Sequence, residues 1–211
     1  MKLSLAMSCL GMSVFSLNAL ALEGNAEEGH KSAIVCSACH HEDGSGQNIP
    51  GGESWPKLAG MNAEYLYKQL QDFKEGAREN PTMAAIVLPL SDEQMKNLAV
   101  YYSELPKLPG QGGEEASEEQ LALGQKLAER GNWDKYIVSC QSCHGPDNQG
   151  AGTHFPAIAG QHAGYIEQEL KAFQEGVRYN DPQNLMSTIA KRMNDEEIHA
   201  VALWLSTQNS H

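Results

Sequence analysis

Apolar residues along the chain recur at three- and four-residue spacing, and short polar stretches bearing Gly and Pro separate the runs. That periodicity predicts helices. A short one covers Glu27 to Val35. A second starts from the cap Asn62, turns Tyr65, Leu66, Leu70 and Phe73 to one side, and stops at Glu75 before Gly76. Ser91-Asp92-Glu93-Gln94 is a capping-box pattern, and it opens a helix carrying Leu98, Tyr101, Tyr102 and Leu105. Ser117-Glu118-Glu119-Gln120 opens another, with Leu121, Leu123 and Leu127. One further helix runs from about Ala163 to Gly176. Asn194 with Glu197 opens a last one, carrying Ile198, Val201, Leu203 and Leu205. The segments Asp43 to Gly60 and Ala77 to Pro89 read as loops, and Pro106 to Glu115 reads as an exposed linker. No stretch alternates persuasively with period two, so the expected fold class is all-α.

The same order of elements occurs twice. Trp55-Pro56-Lys57-Leu58-Ala59-Gly60 aligns with Phe155-Pro156-Ala157-Ile158-Ala159-Gly160 at an offset of 100 residues. Carried from 55–80 onto 155–180, that offset gives 11 identities in 26 positions, where average composition would give about two. They include Tyr65/Tyr165, Leu70/Leu170, Phe73/Phe173, Arg78/Arg178 and Asn80/Asn180. The chain is a tandem duplication: a first unit over 22–108, a linker over 109–116 and a second unit over 117–211. Each unit has fewer than about 100 residues, a small core for independent stability.

The N-terminus changes the picture of where the protein works. Lys2 precedes an apolar run from Leu3 to Leu22, and Ala19-Leu20-Ala21 has the small-x-small form of a cleavage site. Residues 1–21 are therefore expected to be a signal peptide cut after Ala21, rather than a retained anchor. A lipid attachment at Cys9 is discounted, because the apolar run continues beyond it. The next most apolar run, Met83 to Leu90, is too short to cross a bilayer. The expected location is the periplasm, either in solution or loosely at the surface of the inner membrane. The formal charge is −12, and the halves 22–110 and 111–211 are acidic alike at −6 and −7. That argues against nucleic acid and anionic membrane as partners, and it would steer the protein towards a basic docking surface.

The chemistry sits in one pentapeptide that occurs twice, Cys36-Ser37-Ala38-Cys39-His40 and Cys140-Gln141-Ser142-Cys143-His144. C-x-x-C-H is the attachment signature of c-type haem. Two thiols on one turn add to two vinyl groups, and the following imidazole takes one face of the iron. A zinc site would need the two cysteine pairs to meet around one metal, usually at closer separations. A dithiol redox site would sit in a strand–helix unit, and a disulfide would leave each His without a role. Cys9 lies in the signal, and every other cysteine belongs to a pentapeptide. The expected cofactors are two haem c groups, bonded through Cys36, Cys39, Cys140 and Cys143 and ligated by His40 and His144.

An electron carrier needs the opposite face of each iron filled, commonly by Met or His. After the variable loop the repeat runs at an offset of 103, and there Met83 falls on Met186. Met61, Met95 and Met193 find no methionine partner, and no histidine outside the pentapeptides pairs with another. Met83 and Met186 are the expected distal ligands, each in a loop between the last two helices of its unit. The backbone carbonyls of Pro56 and Pro156 are candidate acceptors for the ligand histidines. Arg78 and Arg178 are candidates to pair with haem propionates, the alternative being surface arginines after a helix end. Tyr65 and Tyr165 read as core aromatics or propionate partners, and Trp55 and Phe155 as core near the haem edge.

The doubled C-x-x-C-H, the paired loop methionines, the Pro-x-Leu/Ile-Ala-Gly segments and the stretch Arg130-Gly131-Asn132 through Ile137 together resemble the dihaem cytochrome c4 family over about residues 25–208. The resemblance implies two class I cytochrome c domains, each with a His/Met-ligated haem, lying near one another. It also implies single-electron transfer towards a terminal oxidase in a respiratory chain. Its redox partners would then be a membrane donor complex and that oxidase, docking transiently. An electron-accepting cytochrome subunit of a periplasmic dehydrogenase is the second expectation. A dihaem peroxidase is a third, and it would need an iron with an open site and acid–base groups beside it.

Overall fold

The computed structural model describes residues 22–210; the expected signal peptide lies outside them. Among the described residues the regular structure is helical, with four isolated β-bridges and no strand. The first half contains α1 (Ala26–Ser32), α2 (Ser37–His40), α3 (Ala63–Glu75), α4 (Pro81–Val87) and α5 (Asp92–Glu104). The second contains α6 (Glu118–Arg130), α7 (Gln141–His144), α8 (Ala163–Glu175), α9 (Leu185–Ala190) and α10 (Asp195–Ser206). Ser91 with Gln94, Ser117 with Gln120 and Asn194 with Glu197 each complete a capping box, side chain to backbone in both directions. Gly76 and Gly176 end α3 and α8 in the left-handed region, at φ 77° in both cases, where a residue with a Cβ would be strained.

Each half closes where its first and last helices cross. A Cβ on Gly29 of α1 would stand 2.1 Å from the Asn97 carbonyl oxygen of α5, and one on Gly124 of α6 would stand 2.2 Å from that of Ala200 in α10. Only glycine lets the two backbones come so near. The first core gathers Leu66, Phe73, Val87, Met95, Leu98 and Tyr102. The second gathers Leu127, Ile137, Ile166, Leu170, Phe173, Ile198, Val201 and Leu205. The repeat also holds in the loops. Gly60 N donates to Tyr102 O at 2.9 Å, and Gly160 N to Leu205 O at 2.8 Å.

Three elements differ from the expectation. The helix expected over Glu27 to Val35 stops at Ser32, and turns carry the chain to Cys36. The segment read as a loop over Ala77 to Pro89 contains α4, started by the Asn80 side chain on Met83 N with Pro81 in the first turn. In the second half the inserted Asp181-Pro182-Gln183 leads into a 3₁₀ turn over Pro182–Asn184 and then α9. Met83 and Met186 thus lie on short helices. Seven and six residues span too few turns to display a 3.6-residue period. The connector, finally, is partly seated. The Lys57 ammonium donates to Leu108 O at 2.5 Å, Ala163 N donates to Gln111 O at 2.9 Å, and Gly113 is buried.

Candidate functional site

Each pentapeptide folds as one helical turn that ends in a buried histidine. His40 N donates to Cys36 O and His144 N to Cys140 O, at 2.9 Å in both. Those bonds turn each imidazole inward, and the rings are 6 % and 7 % exposed. His40 Nδ1 lies 2.9 Å from Pro56 O, and His144 Nδ1 lies 2.7 Å from Pro156 O. A proton on Nδ1 shared with a carbonyl fixes the tautomer and leaves the Nε2 lone pair as the coordinating nitrogen. Burial pushes both imidazoles below their ordinary pKa, against the opposing pull of those carbonyls. Both rings are therefore neutral at pH 7, the form that binds a metal. Phe155 stands edge-on to His144, 6.2 Å between ring centres.

The four cysteines are half-buried, in two pairs, and none forms a disulfide. Burial raises the Cys36 thiol, with the Tyr102 hydroxyl acting the other way, and it pushes Cys140 up to about 11. Neither Cys36 nor Cys140 resembles a low-pKa redox thiol, which needs an electropositive setting. Met83 on α4 and Met186 on α9 are half-buried, each packed against the core of its own half. Two thiols, a neutral imidazole with one nitrogen tethered and a thioether in an apolar core form the donor set that a covalently held His/Met haem requires.

Arg78 and Arg178 do not lie at the surface. They face each other across the junction of the halves as an antiparallel bridge. Arg78 donates to Gln69 (2.9 Å), Tyr165 (2.9 Å) and Glu169 (2.7 Å). Arg178 donates to Glu169 (2.5 Å), Gln69 (3.2 Å), Tyr65 (3.4 Å) and Asn180 (2.9 Å). Each guanidinium also stacks on its own half's phenylalanine, Phe73 or Phe173. Tyr65 and Tyr165 are thus junction residues, each reaching the arginine of the other half. Burial raises the Glu169 carboxyl, but Arg78 and Arg178 outweigh it and hold it below the usual carboxylate range. Asp72 accepts from Lys68 and from Asn180, tying the same face together.

More of the junction was missed by sequence reasoning. Gln161 joins both backbone groups of Lys57, at 2.9 Å each. His162 is fully buried with Nε2 2.7 Å from Ser45 O, although its counterpart Asn62 caps a helix. Gln168 bridges Ser54 N and Gly52 O, and Asn48 holds Gly164 N. The signal was available in part. Tyr65, Gln69 and Asp72 fall on one face of α3, and Tyr165 and Glu169 on the matching face of α8, next to paired arginines.

The family model for cytochrome c matches residues 26–106 and matches again over 121–209. A solved structure, the reduced recombinant cytochrome c4 from Pseudomonas stutzeri, superposes with a TM-score of 0.80 at 33% identity, covering 89% of this chain and 100% of that one. The chain belongs to the dihaem cytochrome c4 family. As a member it carries two covalently bound haem c groups, one in each half, and transfers electrons. It is also similar to the thiosulfate dehydrogenase electron acceptor of Thiomonas intermedia, 44% identical over 176 residues, covering 83% of this chain and 79% of that protein. A second solved structure, thiosulfate dehydrogenase (TsdBA) from Marichromatium purpuratum, gives a TM-score of 0.80 at 31% identity. That match covers 87% of this chain and 40% of the longer one.

Proposed function

We propose that this dihaem cytochrome accepts single electrons from a thiosulfate-oxidising dehydrogenase in the periplasm and hands them on towards a terminal oxidase. The observation that carries the donor is the 44% identity, along most of both chains, to a thiosulfate dehydrogenase electron acceptor. This favours the dehydrogenase reading over that of a general respiratory carrier. The resemblance to the cytochrome c4 family supports the onward step. Among the described residues no helix is long and apolar enough to cross a membrane, which is compatible with work in the periplasm.

In this reading Cys36, Cys39, Cys140 and Cys143 attach the haems, and His40/Met83 and His144/Met186 fill both axial positions. Each haem supplies a one-electron couple. The protein supplies neutral imidazoles held by Pro56 and Pro156, dry cores and a fixed spacing between halves. With both axial positions filled, the role is carriage without conversion of a substrate. The junction has two guanidiniums and one carboxylate, Glu169, between them, so it holds one more positive than negative charge. A haem propionate reaching Arg78 or Arg178 would balance it. Ile34 (83 % exposed) and Val35 precede Cys36, and Leu88 (66 % exposed) follows α4. They offer an apolar contact around the first half's haem for a small, transient encounter.

The test is reduction of the purified holoprotein by a thiosulfate dehydrogenase with thiosulfate, followed in the haem absorption bands. Rapid reduction that needs both enzyme and thiosulfate is expected, then reoxidation by membranes containing a terminal oxidase. Reduction no faster than that of an unrelated c-type cytochrome would reject the donor.

A further inference from the structure

The two halves differ at one buried position that faces a haem-attachment cysteine. Tyr102 of α5 and Leu205 of α10 are equivalent in the repeat, and each accepts a bond from the matching glycine, Gly60 or Gly160. Leu205 is apolar and 1 % exposed. Tyr102 is 4 % exposed, and its hydroxyl is buried without a hydrogen-bond partner. Cys36 packs against the same buried cluster as Tyr102, and the two groups perturb one another: the hydroxyl lowers the Cys36 thiol, and burial, with Cys36 adding to it, raises the phenol. A buried hydroxyl with no partner destabilises the fold. That cost is offset if something arrives at Cys36 that can interact with an O–H dipole.

We propose that the Tyr102 hydroxyl is a polar contact to the haem edge and thioether sulfur at Cys36, and that it raises the reduction potential of the first half's haem alone. This rests on haem attachment at Cys36. The sulfur and the porphyrin edge are the only electron-rich groups that attachment would bring there, and each can accept from an O–H. A donor dipole aimed at the haem favours the reduced state, which carries one more electron. In a core of low dielectric it acts more strongly than in water. The second half has the apolar Leu205 at this position, so the two sites differ here by one donor. Tyr102 does not ligate iron; it is a positioning and tuning residue.

The experiment is a spectroelectrochemical titration of the two-haem Tyr102→Phe protein, with paramagnetic NMR of the oxidised form to assign the haem methyl signals. Phenylalanine keeps the ring and removes only the hydroxyl, so the fold is retained, and unfolding by denaturant should show stability lowered only slightly. The reduction equilibrium of one haem should fall about three- to tenfold, the worth of one ordinary hydrogen bond. Only that haem's methyl signals should move. An unmoved pair of potentials, an equal shift of both, or a rise would overturn the inference. Mass spectrometry separates this from failure of the underlying reading: a chain carrying fewer than two haems refutes attachment itself.

Discussion

Replacing Glu169 by Gln should loosen the junction while leaving each half folded. Glu169 takes Arg78 at 2.7 Å and Arg178 at 2.5 Å, with side-chain exposures of 23%, 7% and 11% for the carboxylate and the two arginines. At an effective dielectric near 20, each attraction is worth about 4 kcal/mol for charges about 4 Å apart. Returning the carboxylate to a neutral amide recovers several kcal/mol of desolvation, and the guanidiniums then repel without a mediator. The net loss for breaking a pair of this kind is about 3–5 kcal/mol when fully buried, so roughly 2–4 kcal/mol at this partial exposure. That is about 30- to 1,000-fold in the equilibrium for separating the halves. Hydrogen exchange measures it. The amides of Ser54, Lys57 and Gly164 are bonded to acceptors in the other half, and they should lose that much protection. Amides inside α5 and α10 should not. Glu197→Gln is the control, since Glu197 pairs with Lys135 and Asn132 within the second half. The sign in pH follows from the lowered carboxyl. Its stabilisation is fully present above the ordinary carboxylate pKa and is lost as pH falls through the lower, folded value. Wild type and variant should therefore converge in acid. Junction protection unchanged within about threefold at pH 7 would refute the charge argument.

Met83→Ala or Met186→Ala should leave one haem high-spin and lower its potential, and an unchanged absorption spectrum would remove that ligand. Burial, with Lys107 adding to it, lowers Lys57 to about 8. Its protonated form is thus disfavoured in the fold, and stability should rise from about pH 8 to pH 10, by up to ~3 kcal/mol; a Lys57→Met protein should show no such rise in thermal unfolding. Gly29→Ala or Gly124→Ala forces α1 from α5 or α6 from α10, at about 1–3 kcal/mol in denaturant melts. Ser91→Ala removes a capping box at the start of α5 and should cost about 1 kcal/mol.

The helices with caps were legible because their signals are local. Asn62, Ser91, Ser117 and Asn194 act on residues three positions away, and each starts a helix where the pattern placed it. The pentapeptides were legible because attachment chemistry demands a fixed spacing. What stayed hidden depends on neighbours far along the chain. Helices α4 and α9 are too short for a period to emerge, although Asn80-Pro81 carries a start signal. The surroundings of Arg78 and Arg178 could not be read, because Arg78 meets Glu169 and Tyr165, and Arg178 meets Gln69 and Tyr65, only once the halves are docked. The connector looked exposed by composition, yet its carbonyls satisfy donors from both halves.

The approach of Arg78 to Arg178, with each tyrosine reaching across to the other's guanidinium, has the form of contact that two identical modules make about a rotation axis. Such a face is complementary to itself, as the contact of a symmetric dimer is. Carrying both copies in one chain removes a constraint. In a pair of identical subunits any change appears on both sides at once. In a single chain position 69 can be an amide while position 169 is an acid, and position 102 a phenol while 205 is an alkyl group. Asymmetry of that kind is what gives two copies of one module a preferred direction of charge flow.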